Sequence, residues 1–535
     1  MLDDACGMRC REEKREMKLN AGTINSQWLN TYTFTKAIVE VHFKDEGRDL
    51  PIGIFRLVVR GTGFLGKILV EKLLRSCPDI STIYLLVRSK KGKSPESRLD
   101  EIFESSLYAR VKKEVPAFRK KIVPIVGDLE LEALGLSKKD RNILIQKVSI
   151  IFHVAANVRF QEKSKFLIRA NLIATDFILH FAKLMPKLKV FIHVSSTYSN
   201  FYEKHIEERF YTYPVNYKDL ITFYHTLPEN VLEAKIAKIA AKWPNTYTFT
   251  KAIAEAHIKD ECGDLPIGIF RPAIISSSAN EPLIGWTDNY FGPIGFTVFI
   301  IKGLQRLMLC NPHVLLNIVP VDLTGNALIA SAWDVFNQCR KGKDMLIYNF
   351  VPPANSPTLG EYIYNAVNIN KTYPLNQVQW YPFVLILQRE IFYRVCILFF
   401  HLLPALLVDA VSICIKHRPR MWKLYRRIHN NYYVLIPFIM KKKSYSYDNV
   451  EAMWNRLKES DQQLFKFHFN KFDWTKYLAD HYKGICFFLL NEDDSTLEIN
   501  RIRHKRLYWM HQTFKMVLIF AVVWIIWIIF IKVFT

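Results

Sequence analysis

The sequence predicts an α/β fold: a Rossmann-like doubly wound parallel sheet, followed by a mainly helical C-terminal domain and a C-terminal transmembrane helix. Three observations predict it. Strand-like and helix-like segments alternate from Leu57 onward, a Gly-rich turn joins the first strand to the first helix, and an uncharged apolar run occupies Met516–Ile531. Alternating βα units imply a parallel sheet, because each crossover lays a helix on one of its faces. At 535 residues the chain exceeds what one hydrophobic core usually organises, so more than one folded part is expected.

Leu57-Val58-Val59 reads as the first strand, and Arg60-Gly61-Thr62-Gly63-Phe64-Leu65-Gly66 as the turn after it. Apolar residues at helical spacing follow over Lys67–Asp79, then a strand at Thr82–Ser89. Further strands are expected at Lys121–Leu129, Ser149–Asn157 and Lys189–Thr197, with a helix over Leu167–Pro186 between the last two. From about Asn355 long helical, aromatic-rich segments without a Gly-rich turn replace the alternation. The expected parts are therefore an N-terminal extension over 1–56, a nucleotide-binding part over 57–354, a helical part over 355–510 and a membrane anchor over 511–535.

One segment occurs twice. Trp28–Arg56 repeats Trp243–Arg271 with six differences over 29 positions, and nothing else recurs at that offset, which excludes a solenoid. Only one copy can occupy a given place in a single domain. The second follows several strands, whereas the first abuts the Gly-rich turn, so the second has the better context and the first reads as an exon duplication or a misplaced splice junction.

The formal net charge of +23 is spread along the chain rather than gathered in one arm. That disfavours nucleic acid and leaves an anionic membrane surface or a polyanionic small molecule as partners. Nine cysteines (Cys6, Cys10, Cys77, Cys262, Cys310, Cys339, Cys396, Cys414 and Cys486) form no CxxC pair, so no metal site or disulfide framework is expected and a reducing compartment fits. Met1–Asn20 is charged and lacks the apolar run of a signal peptide. Before the run at Met516–Ile531 stand Arg501, Arg503, Lys505, Arg506 and Lys515, against Lys532 after it, so the positive-inside rule places the bulk of the protein in the cytosol as a tail-anchored membrane protein. A second apolar stretch, Val395–Ile415, contains His401, Pro404 and Asp409. A helix packed on the fold or lying in the membrane interface is favoured there over a span, because an Asp at a membrane helix centre costs about 2.5–3.5 kcal/mol.

The Gly-rich turn can hold a pyrophosphate on backbone N–H groups at a helix N-terminus. After the next strand, Arg88 with Lys90 and Lys91 stands where sites for the unphosphorylated cofactor place an acid; the cations suit a 2′-phosphate, or form a solvated basic loop. Asp128 ends another strand, where it can meet the adenine or ribose, or cap a helix. Tyr247 and Lys251 are four residues apart and so share a helix face, where an ammonium is expected to lower the phenol's pKa and let it donate a proton. Ser195 and Ser196 end a strand upstream, positioned to polarise a carbonyl. Together these point to an NADP-dependent reductase. His153, His193 and His401 read as packed residues, since no pair has ligand spacing.

The blocks GlyThrGlyPheLeuGly (61–66), HisValAlaAlaAsnValArgPhe (153–160), HisValSerSerThrTyrSerAsn (193–200), ProAsnThrTyrThrPheThrLys (244–251) and GluProLeuIleGlyTrpThrAspAsn (281–289) resemble the fatty acyl-CoA reductases of the extended short-chain dehydrogenase/reductase superfamily. The likeness continues into that family's helical domain with HisLeuLeuProAla (401–405), PheAspTrp (472–474) and Tyr477, and spans Leu57 to the end. The resemblance implies two successive hydride transfers from NADPH, taking a long-chain acyl-CoA through a hemithioacetal to aldehyde and CoA, then to alcohol. It implies Tyr247 as proton donor, Lys251 on the nicotinamide ribose, and Ser196 with Ser195 at the developing oxyanion. Gly61, Thr62, Gly63, Phe64, Leu65, Gly66, Arg88, Lys90, Asp128 and Ala155 would line the cofactor. Asn171 matches a helix asparagine that supports the catalytic lysine, or is an ordinary polar helix residue. The block from Glu281 would line an acyl or CoA channel, or form a structural loop. Peroxisome and endoplasmic reticulum both fit a lipid-facing anchor. A reductase that stops at aldehyde or takes another lipid carbonyl is the neighbouring reading.

One departure matters. Arg60 stands where the family has the first glycine of the turn, and a side chain there either opens the turn or projects toward the pyrophosphate. A catalytically impaired, membrane-tethered relative is therefore a further alternative.

Overall fold

Seven strands rich in Ile, Val and Phe build the central sheet: β1 (Ile54–Val59), β2 (Ile80–Val87), β3 (Ile122–Val126), β4 (Ile150–His153), β5 (Val190–Val194), β6 (Ile267–Pro272) and β7 (Leu346–Phe350). The computed structural model describes residues 54–59, 62–88, 92–154, 158, 160–339, 344–376, 378–492 and 494–534. Arg60, Gly61, Lys90, Lys91, Ala155 and the first copy of the repeat up to residue 53 lie outside the described residues.

The strand order is β7-β6-β5-β4-β1-β2-β3, and every pair is parallel. The order reverses between β1 and β4, so the sheet is doubly wound as predicted, and the crevice beyond the carboxyl ends of those two strands is where such sheets receive a dinucleotide. Side chains alternate in the way a pleated strand requires. Phe152, Ile192 and Phe270 face α1 (Phe64–Ser76) and α3 (Val321–Cys339), while Ile151, Phe191 and Ile269 face the other layer. That second layer is a helix running from Ser164 to Lys183 together with α2 (Thr246–Glu261).

β1 begins at Ile54, three residues before the expected start, and so takes in Ile54-Phe55-Arg56 from the first copy of the repeat. The same triplet in the second copy, Ile269-Phe270-Arg271, lies in β6 of the same sheet. A β-branched and aromatic segment suits any buried place in a pleated sheet, so the chance wording of the copy is compatible with the first strand.

The helical region beyond β7 shares its core with the sheet. Val450, Met453 and Leu457, with Phe465 and Phe467, pack into the cluster that α1 and α3 build. Arg456 forks onto the fully buried Asp334 of α3, with Nε and Nη2 donating at 2.7 and 2.6 Å, and the Tyr348 hydroxyl of β7 donates to the same carboxylate at 2.8 Å. α1 is tied down by charge as well as by apolar packing. Lys72 and Arg75, both nearly buried, bind the Glu281 carboxylate, and Lys72 also donates to the Leu464 carbonyl at 2.8 Å. The backbone of the same stretch is held by the Asp322 carboxylate, which accepts the N–H groups of Ala279, Asn280 and Glu281 at 2.8–3.1 Å.

The chain then passes through two long apolar helices: α4 (Glu390–Cys414) and, after α5 (Met421–Tyr433), α6 (Leu497–Phe534). At 38 residues α6 is about 57 Å long. It starts well before the apolar run, because its first half packs on the body.

Replacing Arg456 by Ala leaves the Asp334 charge buried with only the neutral donors Tyr348 and Gln338, and stripping one partner from a buried pair costs about 3–5 kcal/mol. Thermal unfolding of the detergent-solubilised protein is expected to shift down by several degrees for Arg456→Ala. A change of less than one degree means that the helical region does not brace the sheet.

Candidate active site

The second copy of the repeat places its residues through α2. Asn245 caps the helix, its side-chain oxygen accepting the Thr248 N–H at 3.0 Å. One turn apart along the buried face then come Tyr247, Lys251 and Glu255, at i, i+4 and i+8. Lys251 Nζ donates to the Val194 carbonyl at the end of β5 at 2.8 Å. Just past that strand end the chain turns tightly, with the Ser196 oxygen accepting the Tyr198 N–H at 3.2 Å, and this turn brings the Ser196 hydroxyl into a hydrogen bond with the Tyr247 phenol.

Ser195 does not join them. Its hydroxyl donates to Glu255 Oε1. Successive residues leaving a strand point to opposite sides, so only one of two adjacent serines can face the phenol. The two serines expected to act together are thus separated: Ser196 meets the phenol and Ser195 holds Glu255. That carboxylate also accepts from Ser199 at 3.1 Å and from Arg271 Nε and Nη2 at 3.0 and 2.6 Å. The remaining Arg271 N–H groups reach the carbonyls of Glu207 and Arg209, each at 3.0 Å. Asn171 lies in a π turn, Arg169–Ile173, and its amide donates at 3.1 Å to the hydroxyl of Thr250, the residue before Lys251.

Burial governs the electrostatics. It pushes the Tyr247 phenol up to about 12, with the Ser196 hydrogen bond pulling the other way, and pulls Lys251 down to about 8, with the Glu255 charge pulling up. The expectation that Lys251 acidifies the phenol is thus corrected for this structure, because desolvation of the phenolate outweighs other influences and the ammonium is directed at a carbonyl. His153 and His193 are register partners on β4 and β5, with their Nδ1 atoms 3.0 Å apart, and burial lowers the pKa of both, to about 3 for His153. Both stand close enough to Lys251 to feel its charge.

At the nucleotide end, Gly63 is the first residue outside α1, no side chain caps the helix, and no acid lies in its first turn. The N–H groups there are thus free of carboxylate competition, as pyrophosphate binding requires. Thr62 and Gly63 are partly exposed, Leu65 and Gly66 are buried, and Phe64 stacks on Trp286 at 5.4 Å. Arg88, 31% exposed, lies 3.4 Å from Asp128 and 3.7 Å from Glu130. Asp128 therefore meets a guanidinium rather than capping a helix. The Glu281 side chain is taken up by Lys72 and Arg75 of α1.

A family model described as male sterility protein matches residues 61–328, and a second with the same description matches 400–492. Fatty acyl-CoA reductase wat of Drosophila melanogaster is 36% identical over 476 residues, covering 89% of this chain and 90% of that protein. Fatty acyl-CoA reductase 1 of Mus musculus is 35% identical over 476 residues, covering 89% and 91%. The chain belongs to the fatty acyl-CoA reductase family. In fold it is similar to the reductase domain of a Mycobacterium tuberculosis non-ribosomal peptide synthetase (TM-score 0.52, 16% identity, 83% of this chain and 94% of that one). It is likewise similar to the terminal reductase domain of the myxalamid pathway (TM-score 0.51, 17% identity, 81% and 90%). This fatty acyl-CoA reductase is accordingly an oxidoreductase with a nicotinamide cofactor.

Several residues of the reductase site escaped the sequence reading. Glu255 had a legible signal, since it continues the Tyr-xxx-Lys face by one more turn. Arg271 had none, being a charge at the end of an apolar strand. An aromatic wall was also hidden: Phe160 lies 5.4 Å from Tyr247 and 6.2 Å from Phe438, which in turn lies 5.2 Å from Tyr198. Phe438 comes from the helical region, more than 180 residues beyond Tyr247 in sequence.

Because the Glu255 charge raises the Lys251 pKa, the protonated amine is lost at lower pH without it. The alkaline limb of reductase kcat/KM is expected near pH 8 and should move to lower pH in Glu255→Gln, while Lys259→Gln, an exposed change on the same helix, leaves it in place. An unmoved limb in Glu255→Gln separates that limb from Lys251.

Proposed function

We propose that this reductase converts long-chain fatty acyl-CoA to fatty alcohol with NADPH, releasing CoA, at a lipid membrane. The observation that carries the reading is the convergence of Ser196, Tyr247 and Lys251 beyond the carboxyl end of the parallel sheet, in a chain of this family. When bound, the nicotinamide supplies hydride in two rounds, first to the thioester carbonyl and then to the aldehyde. Ser196 and Tyr247 present two hydroxyls to one substrate oxygen, and such donors in a water-poor site are worth about 10²–10³ in rate each. Tyr247, held neutral up to about pH 12 by burial, keeps a proton to give at that oxygen. Lys251 brings a positive charge beneath it and would hold the nicotinamide ribose. Phe160, Tyr198 and Phe438 form an apolar wall suited to an acyl chain and to keeping water from the reacting carbon.

NADPH is preferred to NADH in this reading because Arg88, partly exposed and held at long range by two carboxylates, can turn to a 2′-phosphate. Residues 57–354 carry the chemistry and most of the wall, and 355–510 add Phe438 to the wall and carry the lipid-facing surface. α6 anchors the body on the cytosolic side of the membrane of the peroxisome or endoplasmic reticulum, on the strength of the cations that precede its apolar run. A second reading, an impaired enzyme, rests on Arg60 in the Gly-rich turn.

Membrane fractions carrying the chain as written, Arg60→Gly and Tyr247→Phe are incubated with long-chain acyl-CoA and NADPH, and the extracted products identified by mass spectrometry. Alcohol is expected, with turnover lowered about 10²–10⁴-fold in Tyr247→Phe. Aldehyde alone at excess NADPH defeats the two-step reading, and alcohol from Arg60→Gly only supports the impaired one. Arg88→Ala is expected to raise KM for NADPH about tenfold or more while leaving that for NADH unchanged; equal effects on both cofactors argue against 2′-phosphate recognition.

A further inference from the structure

α4 presents an unusual surface. Its buried residues are Tyr393, Ile397, His401, Ala405 and Asp409, a single narrow stripe that includes the π turn Leu398–Leu402. Beyond the exposed Glu390–Arg394 ion pair of its first turn the remaining sides are largely apolar and open, with Phe392, Phe399, Leu407 and Val411, and Ile415 just after the helix, all about 60% exposed. The histidine and the aspartate of the stripe are both satisfied by the body, while the Tyr393 hydroxyl is buried without a partner. His401 Nε2 accepts the Arg306 N–H at 3.2 Å while its Nδ1 bonds His429 Nε2 at 3.2 Å. Asp409 accepts the N–H groups of Arg420, Met421 and Trp422 at 2.8, 2.9 and 2.9 Å, which are the free donors at the start of α5.

The residue that argues most against a span is therefore bound to the helix that comes back. The chain reverses over 415–420, and Lys416, Arg418, Arg420, Lys423, Arg426 and Arg427 stand exposed there without an intervening acid. α4 also shares its side of the molecule with α6. Phe383 packs on His511 of α6 at 4.8 Å and on Phe400 of α4 at 6.2 Å, and the Trp380 indole donates to His511 at 3.2 Å. From His511 to Met516, where the apolar run begins, is about 7–8 Å along the helix.

We infer that α4 and the reversal after it form an in-plane membrane element, the helix immersed in the outer acyl-chain layer of the bilayer that α6 enters and the six cations seated on anionic phospholipid headgroups. A helix with apolar sides all around except one stripe needs a fluid covering, which lipid chains supply and a rigid protein face does not. The cationic reversal complements an anionic surface. The common side with α6 sets the element at bilayer depth. The placement also links the membrane to the chemistry. α5, 13 residues and about 20 Å long, leads from the cationic reversal toward the short helix Ile436–Met440 that carries Phe438. This last link rests on the function proposed above; the membrane contact does not.

The test uses the full chain reconstituted in phosphatidylcholine vesicles with about one-fifth phosphatidylserine, in a Cys414→Ser background, with a fluorophore on Leu407→Cys, Val411→Cys or Arg418→Cys. Acyl-chain nitroxide lipids are expected to quench the labels at 407 and 411 at least twofold more than that at 418, and headgroup nitroxides to do the reverse. A membrane-impermeant thiol reagent added outside is expected to reach Arg418→Cys wherever it reaches Lys505→Cys, just before the apolar run of α6. No lipid quenching at 407 and 411 overturns the proposal in favour of a protein-covered or solvated face. Protection of 418 until the vesicles are permeabilised, with 505 already reactive, overturns it in favour of a span. Neither readout depends on catalysis.

Discussion

Glu255 and Arg271 are wholly buried and joined by two hydrogen bonds, and much of the site hangs on that pair. Taking two charges out of water costs several kcal/mol per ion, and the loss is offset only where the other lone pairs and protons are matched. Here Ser195 and Ser199 complete the carboxylate, and the carbonyls of Glu207 and Arg209 complete the guanidinium. The pair couples α2 to β6 across the layer boundary. Since Glu255 lies one turn after Lys251 and two after Tyr247, it sets the rotation of the helix that presents them. Through Ser195 and Ser199 it also holds the turn that carries Ser196, so Ser196 and Tyr247 both refer to one buried carboxylate.

The same burial sets the chemistry. Phenol, amine and two imidazoles all sit where charge is disfavoured, and burial drives each toward its neutral form. In such surroundings a hydroxyl donor gains strength relative to water, because no solvent competes for the acceptor. Of these four groups Lys251 is the one that keeps a positive charge at neutral pH, upheld by Glu255 at a distance of one helical turn.

The helical region after β7 performs two tasks that the sheet cannot. Through Arg456, Val450 and Met453 it braces the outer edge at β7, and through Phe438 it adds the last part of the wall around Tyr247. Its long apolar helices α4 and α6 stand on one side of the body, joined by Phe383. His481 ties it again to the reductase part, bonding the Ser277 hydroxyl at 2.7 Å from one ring nitrogen and the Tyr362 hydroxyl of the helical region at 2.9 Å from the other.

What was legible in the sequence is what depends on local periodicity and short spacing. Apolar alternation and the Gly-rich turn determined the doubly wound sheet, Tyr247 and Lys251 declared their common face by lying four apart, and the uncharged run at Met516–Ile531 declared a membrane anchor, because each of these properties is written within one or two turns of chain. Which of two adjacent serines meets the phenol was not legible, since it depends on how the strand end twists, nor was the sign of the Tyr247 shift, which depends on how much water the assembled site excludes. Arg271, Phe160, Phe438 and the partnership of His153 with His193 join through register and packing between positions 16 to about 280 residues apart. Asp409 shows the difference most directly. In sequence it is only a charge that penalises a span, and only the tertiary structure, by bringing the N-terminus of α5 to its carboxylate, decided that the charge is bound and that the helix turns back.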